Sequence, residues 1–234
     1  MKYSRKTFLS DEQQKASIAH YLQQRKRIGG KIPVTGRSVE NYAIQLFPDI
    51  DGSLTRHVGT KDYLDVACGI NPMYPKSLLC SLKGSRKKHG LDIHECTEPV
   101  APGVRYVRAS AYKTGLPSHS YDCITVNNFM YFWESHPQKL LQLYKEMNRL
   151  LKKGGTLRIF PVFYGNYACD NVDLHDYLNT HFCIQCLRPK HDYSKEAPVY
   201  IRDGEMIQAS AGHGKNEHRI YHQLMAHVVI LHKL

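Results

Sequence analysis

Leu64-Asp65-Val66-Ala67-Cys68-Gly69-Ile70-Asn71-Pro72 starts as an apolar run of strand length and breaks into small, turn-tolerant residues. The pattern predicts a buried strand that opens through a tight turn onto a helix over about Pro72 to Leu82. Small residues let a ligand approach the backbone, and a helix start offers N–H donors without intrahelical partners. In an open α/β sheet, ligands sit beyond the C-terminal ends of the strands. The turn lacks the Gly-x-Gly-x-x-Gly spacing of a dinucleotide fingerprint.

Downstream, strand and helix signals alternate. Strands are predicted at Tyr63 to Ala67, ending near Asp92, at Val104 to Ser110, at Asp122 to Asn127 and at Thr156 to Val162. A helix over about Pro137 to Leu151 precedes the last of these. A helix near Val172 to Asn179, a strand around Phe182 to Leu187 and a closing strand from Gln223 to Leu231 complete the set. Such alternation argues for a mainly parallel α/β sheet covered on both faces. Val199 to Arg202 and Glu205 to Ala209, joined by Asp203-Gly204, read as a β-hairpin inserted before the closing strand.

Upstream, Ser10-Asp11-Glu12-Gln13 reads as the capping box of a helix that runs to about Arg27 and stops at Gly29-Gly30. A second helix is predicted from Val39 to Phe47 with Ser38 as N-cap, ended by the turn Pro48 to Gly52. Both are expected to pack on one edge of the main domain.

The composition is that of a globular protein: 234 residues, 42% hydrophobic and 23% charged. No apolar run approaches the roughly 20 residues that a membrane-spanning helix needs. The N-terminus has no apolar stretch of the secretory kind, and the seven cysteines lack framework spacing, which together suit a cytoplasmic protein. His218, His222, His227, His232, Cys183 and Cys186 lack the spacing of a ligand set, and no metal site is expected.

Lys plus Arg number 32 against 21 Asp plus Glu, a formal charge of +11. The cations cluster at Arg25-Lys26-Arg27 with Lys31, at Arg86-Lys87-Lys88 and at Lys152-Lys153. A field of this sign attracts polyanions, so RNA is a reasonable partner, although the same charge also serves a merely solvated surface.

Four segments, in order, resemble the class I S-adenosylmethionine-dependent methyltransferases over about residues 61–162. Asp65 to Asn71 is similar to their acid followed by G-x-G-x-G, with Ala67 and Asn71 in place of the outer glycines. Ala67 is a mild change, and Asn71 can still adopt a left-handed turn conformation there. His89-Gly90-Leu91-Asp92-Ile93 resembles the second-strand ending whose carboxylate holds the ribose hydroxyls, with Glu95 as reserve. Val107 to Ala111, followed by Leu116-Pro117 and Tyr121-Asp122-Cys123-Ile124, resembles the third and fourth strands. Ser110 stands there in place of the family's adenine-contacting acid. Asn148 to Ile159 resembles the "R-x-L-K-x-G-G-x-L-x-I" junction between helix and fifth strand.

The resemblance implies a Rossmann-like seven-stranded sheet with its last strand antiparallel, and S-adenosylmethionine as cofactor. It divides the chain into an N-terminal helical extension, 1–60, and a methyltransferase domain, 61–234, with an insertion at about 190–216. Implied cofactor-binding residues are Asp65, Ala67, Gly69, Asn71, Asp92, Glu95, Ser110, Ala111 and Asn127. The acceptor side follows the fourth strand. Tyr131 or Trp133 could stack a substrate ring there, and Glu134 or His136 could act as base. The Cys-Gly-x-Asn-Pro turn also resembles that of ribosomal RNA guanine methyltransferases of aminoglycoside resistance, which inclines the acceptor toward RNA. A small-molecule or protein acceptor, or a non-catalytic binding module on the same fold, remains as an alternative.

Overall fold

The computed structural model describes residues 35–84, 86–96, 99–127, 137–163, 172–187, 199–202, 205–208 and 226–234. The elements are β1 (Thr35–Gly36), α1 (Val39–Gln45), α2 (Leu54–Gly59), β2 (Tyr63–Val66), α3 (Leu78–Ser81), β3 (Lys88–Asp92), β4 (Arg105–Arg108) and β5 (Tyr121–Asn127). They continue with α4 (Pro137–Leu150), β6 (Leu151–Phe163), α5 (Val172–His181), β7 (Phe182–Leu187), β8 (Val199–Arg202), β9 (Glu205–Gln208) and β10 (Ala226–Lys233).

Seven strands form one sheet in the order β4-β3-β2-β5-β6-β10-β7. β2, β3, β4, β5 and β6 pair in parallel, and β10 runs antiparallel to both β6 and β7. This is the α/β sheet that the alternation and the resemblance predicted. The order reverses at β2, so its C-terminal end, with those of β3, β4 and β5, opens at the switch point. β8 and β9 pair antiparallel, and β1 joins them through β8.

Side chains alternate across each strand, and this splits the core in two. Leu64, Val66, Ile124, Val126, Leu157 and Ile159 pack with Leu143, Tyr144 and Met147 of α4 and Leu174 and Leu178 of α5. On the other face, Tyr63, Cys123, Phe160 and Ile230 pack with Tyr42 of α1 and its C-cap Leu46, Leu54 and Val58 of α2, and Leu78 and Leu79 of α3.

Four expectations change. The segment around α1 covers a face of the central strands instead of an edge, because Tyr42, Leu46 and Phe47 supply the apolar cover that this face needs. α2, unforeseen in the sequence, extends that cover and starts at Ser53, whose hydroxyl accepts from the Arg56 N–H. The helix expected over Pro72 to Leu82 is only α3. Pro75 disfavours a helical Tyr74, and Ser77 starts the helix late as its N-cap. The fifth strand starts at Leu151, and its register with β5 is irregular before Thr156, where Gly154 takes a φ of 72°.

The predicted second helix is present as α1. Ser38 and Asn41 close a reciprocal capping box at its start. Its C-terminal connection is anchored to β6, where Arg158 donates a bidentate pair to Asp49 and a hydrogen bond to the Leu46 carbonyl. Burial pushes the Asp49 carboxyl up, but the Arg158 hydrogen bonds and charge outweigh it and hold the group below its ordinary range. The capping box at Ser10, the cluster Arg25 to Arg27 and most of the 190–216 insertion lie outside the described residues.

Candidate functional site

The C-terminal ends of β4, β3, β2 and β5 stand side by side, and the residues singled out from the sequence follow them. At the end of β2, Asp65 is buried on the face toward α1. Its Oδ2 accepts from the Tyr42 hydroxyl at 2.6 Å and from Asn71 Nδ2 at 2.8 Å, and its Oδ1 accepts from the Thr125 hydroxyl at 2.9 Å. Burial pushes Asp65 up to about 6, against the pull of these three donors. The same burial, reinforced by the charge of Asp65, raises Tyr42 well above its usual value.

Asn71 closes the network. Its Nδ2 also donates to the Tyr42 hydroxyl at 2.7 Å, and its Oδ1 accepts from the Arg37 backbone N–H at 2.8 Å. Asn71 does not use the left-handed conformation open to it; the positive φ falls on Ala67, at 55°, and on Gly69, also at 55°. Asn71 is therefore a buried cross-link between the turn and the α1 segment. Ala67 carries the left-handed strain, which is on the order of 1 kcal/mol for a residue with a Cβ.

Asp92 ends β3 beside this turn. Its Oδ2 accepts from the Gly69 N–H at 3.0 Å and its Oδ1 from the His94 N–H at 3.1 Å. The Gly69 N–H is thus already engaged, whereas a carboxylate with one partner on each oxygen keeps acceptor capacity for a diol. β3 approaches the turn this closely because residue 90 is glycine: a Cβ there would lie 2.7 Å from Pro72 Cγ and 2.9 Å from Cys68 Sγ. Glu95, the reserve, is exposed beyond the strand and faces Arg108 at 3.8 Å.

Beyond β4, the Ala109 N–H donates to the Asp92 carbonyl at 2.9 Å, which brings Ser110 and the buried Ala111 to the same end of the sheet. Glu146 of α4 pins the loop that follows. It accepts from the N–H and hydroxyl of Thr114 and from Arg149, and the Arg149 hydrogen bonds hold its carboxyl down at about 2.

At the end of β5, Asn127 is buried and its Nδ2 donates to Gln45 Oε1 of α1 at 3.1 Å. The structure therefore brings Asp65, Ala67, Gly69, Asn71, Asp92, Ser110, Ala111 and Asn127 to one end of the sheet and leaves Glu95 outside. Tyr131, Trp133, Glu134 and His136 lie outside the described residues.

Sequence reasoning missed Tyr42, Gln45 and Thr125. The signal was present in α1, where Tyr42 and Gln45 stand three residues apart on the helix face that α1 buries.

Residues 64–159 match the family model described as a methyltransferase domain. The matched stretch is 96 of the 234 residues and coincides with the segments that resemble class I S-adenosylmethionine-dependent methyltransferases. No curated protein matches the sequence. Among solved structures, a candidate type II methyltransferase from Anaeromyxobacter dehalogenans is 22% identical over 46% of this chain, with a TM-score of 0.34. The match spans 45% of that protein's own length. The N-methyltransferase NodS from Bradyrhizobium japonicum, in complex with S-adenosyl-L-homocysteine, is 10% identical over 79% of this chain and 90% of its own, with a TM-score of 0.42. The tRNA methyltransferase TrmI from Aquifex aeolicus is 12% identical over 75% of this chain and 63% of its own, with a TM-score of 0.41. Among the described residues, no helix is long and apolar enough to cross a membrane.

Proposed function

We propose that the protein is an S-adenosylmethionine-dependent methyltransferase that holds its cofactor across the C-terminal ends of β2 to β5 and passes the methyl group to RNA. The observation that carries the cofactor placement is the joining of Gly69 to Asp92 across two neighbouring strand ends. The residues present fit the cofactor. The Asp92 carboxylate has acceptor capacity left for the ribose hydroxyls, the Ser110 hydroxyl can bond an adenine amino group, and the turn from Ala67 to Asn71 bars bulk near the backbone. Asp65 acts from behind, fixing Asn71 and hence the path of the turn.

When bound, the cofactor supplies a methyl group on a sulfonium, a leaving group that needs no further activation. The work left to the protein is alignment and exclusion of water. Asn127, held by Gln45, contributes at the strand end that leads toward the acceptor side. Tyr131, Glu134 and His136 remain the candidates for acceptor contact or proton removal. The RNA reading is supported by the charge of +11, and the scattered cysteines favour a cytoplasmic setting.

Transfer of a labelled methyl group in a cell extract, followed by separation into RNA, protein and small molecules, tests the acceptor. Label in RNA is the expected result, and label confined to small molecules or protein overturns that part. A folded Gly69→Leu variant that binds S-adenosylhomocysteine with unchanged affinity would remove the cofactor placement.

A further inference from the structure

Because β2 to β6 run parallel, the residues that precede or open them gather at the end of the sheet away from the proposed cofactor site. Lys83, Arg86 and Lys87 lead into β3, Arg105 opens β4, and Lys153 lies where β6 begins. All five are exposed. Two clusters that are far apart in sequence, at 86–88 and 152–153, thereby join one surface.

Contacts bind the segments together. Asp62, just before β2, accepts from the Lys87 N–H at 3.0 Å and from Lys152 Nζ at 2.6 Å. The loop at Gly84 lies against the C-terminus of α2, where a Cβ on residue 84 would sit 3.7 Å from the Gly59 carbonyl. His89, one residue into β3, is held below its ordinary pKa by burial and then by the charges of Arg105 and Lys87. The acids that open β2 and β5 already share a cationic partner: Asp62 and Asp122 pair with Lys152. The exposed cations are left to act together on solvent.

We propose that this amino-terminal end of the sheet is a second RNA-binding surface, which grips phosphates without reading sequence and tethers RNA away from the cofactor. It rests on the RNA reading above and extends it to a separate face. Of the exposed large apolar side chains among the described residues, Ile93, Val172 and Ile184 lie off the segments that carry the five cations, and only Leu234, which follows β10 beside the start of β6, stands at this end of the sheet. A single leucine is not the broad apolar face by which peripheral proteins enter a bilayer, so among the described residues the charge favours a phosphodiester backbone. At roughly 3.3 Å per residue, β5 separates the two ends by about 20 Å, so only a long RNA reaches both.

The test is binding of fluorescein-labelled poly(U) to the full chain across a salt series, for wild type and the double variant Lys87→Glu/Arg105→Glu. Wild type should bind with a steep salt slope. The variant should bind more weakly and lose about 0.7 of log–log slope per phosphate contact removed, about 1.4 in all. Its affinity for S-adenosylhomocysteine should equal that of wild type, which also reports that it is folded. A wild-type salt slope in the variant, or no poly(U) binding by wild type, overturns the proposal. So does binding to phosphatidylserine vesicles that the variant abolishes while poly(U) binding persists. The acceptor reading fails separately, as methyl label absent from the RNA fraction even though poly(U) binds through this surface.

Discussion

On one face of the central strands, Leu64, Val66, Ile124, Val126, Leu157 and Ile159 meet α4 and α5 among apolar side chains. On the other face the alternate residues are Tyr63, Asp65, Cys123, Thr125, Arg158 and Phe160, and they meet α1, α2 and α3 as rings mixed with buried polar groups. Apolar packing accepts many arrangements of similar volume, whereas a buried hydrogen-bond network is satisfied in very few. The apolar face supplies bulk stability. The polar face holds the turn after β2 in one conformation, through Tyr42, Asp65, Asn71 and Thr125.

The contrast breaks most visibly at Asn71. Replacing it with Leu leaves the Arg37 N–H without its acceptor and removes a donor from the buried Asp65. A loss of about 4 kcal/mol is expected in denaturant melts, with cofactor affinity falling alongside. Leu143→Ala, on the apolar face, should cost about 3 kcal/mol through the cavity it leaves. In conditions where it stays folded, its affinity for S-adenosylhomocysteine should be unchanged. If both variants lose cofactor affinity in proportion to stability, the two faces do not differ in kind.

The buried carboxylate also gives the polar face a pH signature. Burial raises Asp65 from an ordinary value of 3.8 to about 6 in the folded state. Between these values the folded protein binds more protons than the unfolded chain, so this contribution is complete below about pH 4 and lost as pH rises through about 6. The change is on the order of 3 kcal/mol at most. Chemical denaturation at a series of pH values should show this decline in wild type and a flatter profile in Asp65→Asn. A flat wild-type profile would mean that the three donors hold Asp65 ionised despite its burial.

The smallest effect expected is a gain. Ala67 sits at a φ of 55°, where glycine has no steric penalty. Ala67→Gly should raise stability by about 0.5–1 kcal/mol, the relief of strain exceeding the entropy that glycine adds to the unfolded chain. A lower midpoint in the variant would show that the strain is absent.

By itself the sequence determined the parallel core. Strand and helix periods are local properties of the chain, and Tyr63, Asp92, Asn127 and Phe182 lie at or next to the strand limits expected of them. The turn residues Ala67, Gly69 and Asn71 were legible for the same reason, as was the capped start of α1. Tertiary structure alone decided which groups meet. Tyr42 lies 23 residues from Asp65, and Gln45 lies 82 residues from Asn127. No periodicity links such distant positions: their pairing follows from α1 covering a sheet face that carries polar side chains. Tertiary structure likewise gave the left-handed conformation to Ala67 and made Asn71 a cross-link, because a buried carboxylate needs donors more than the turn needs a third left-handed residue beside Ala67 and Gly69. The basic clusters were visible as composition, but only the parallel strand order brings their described members to one end of the sheet.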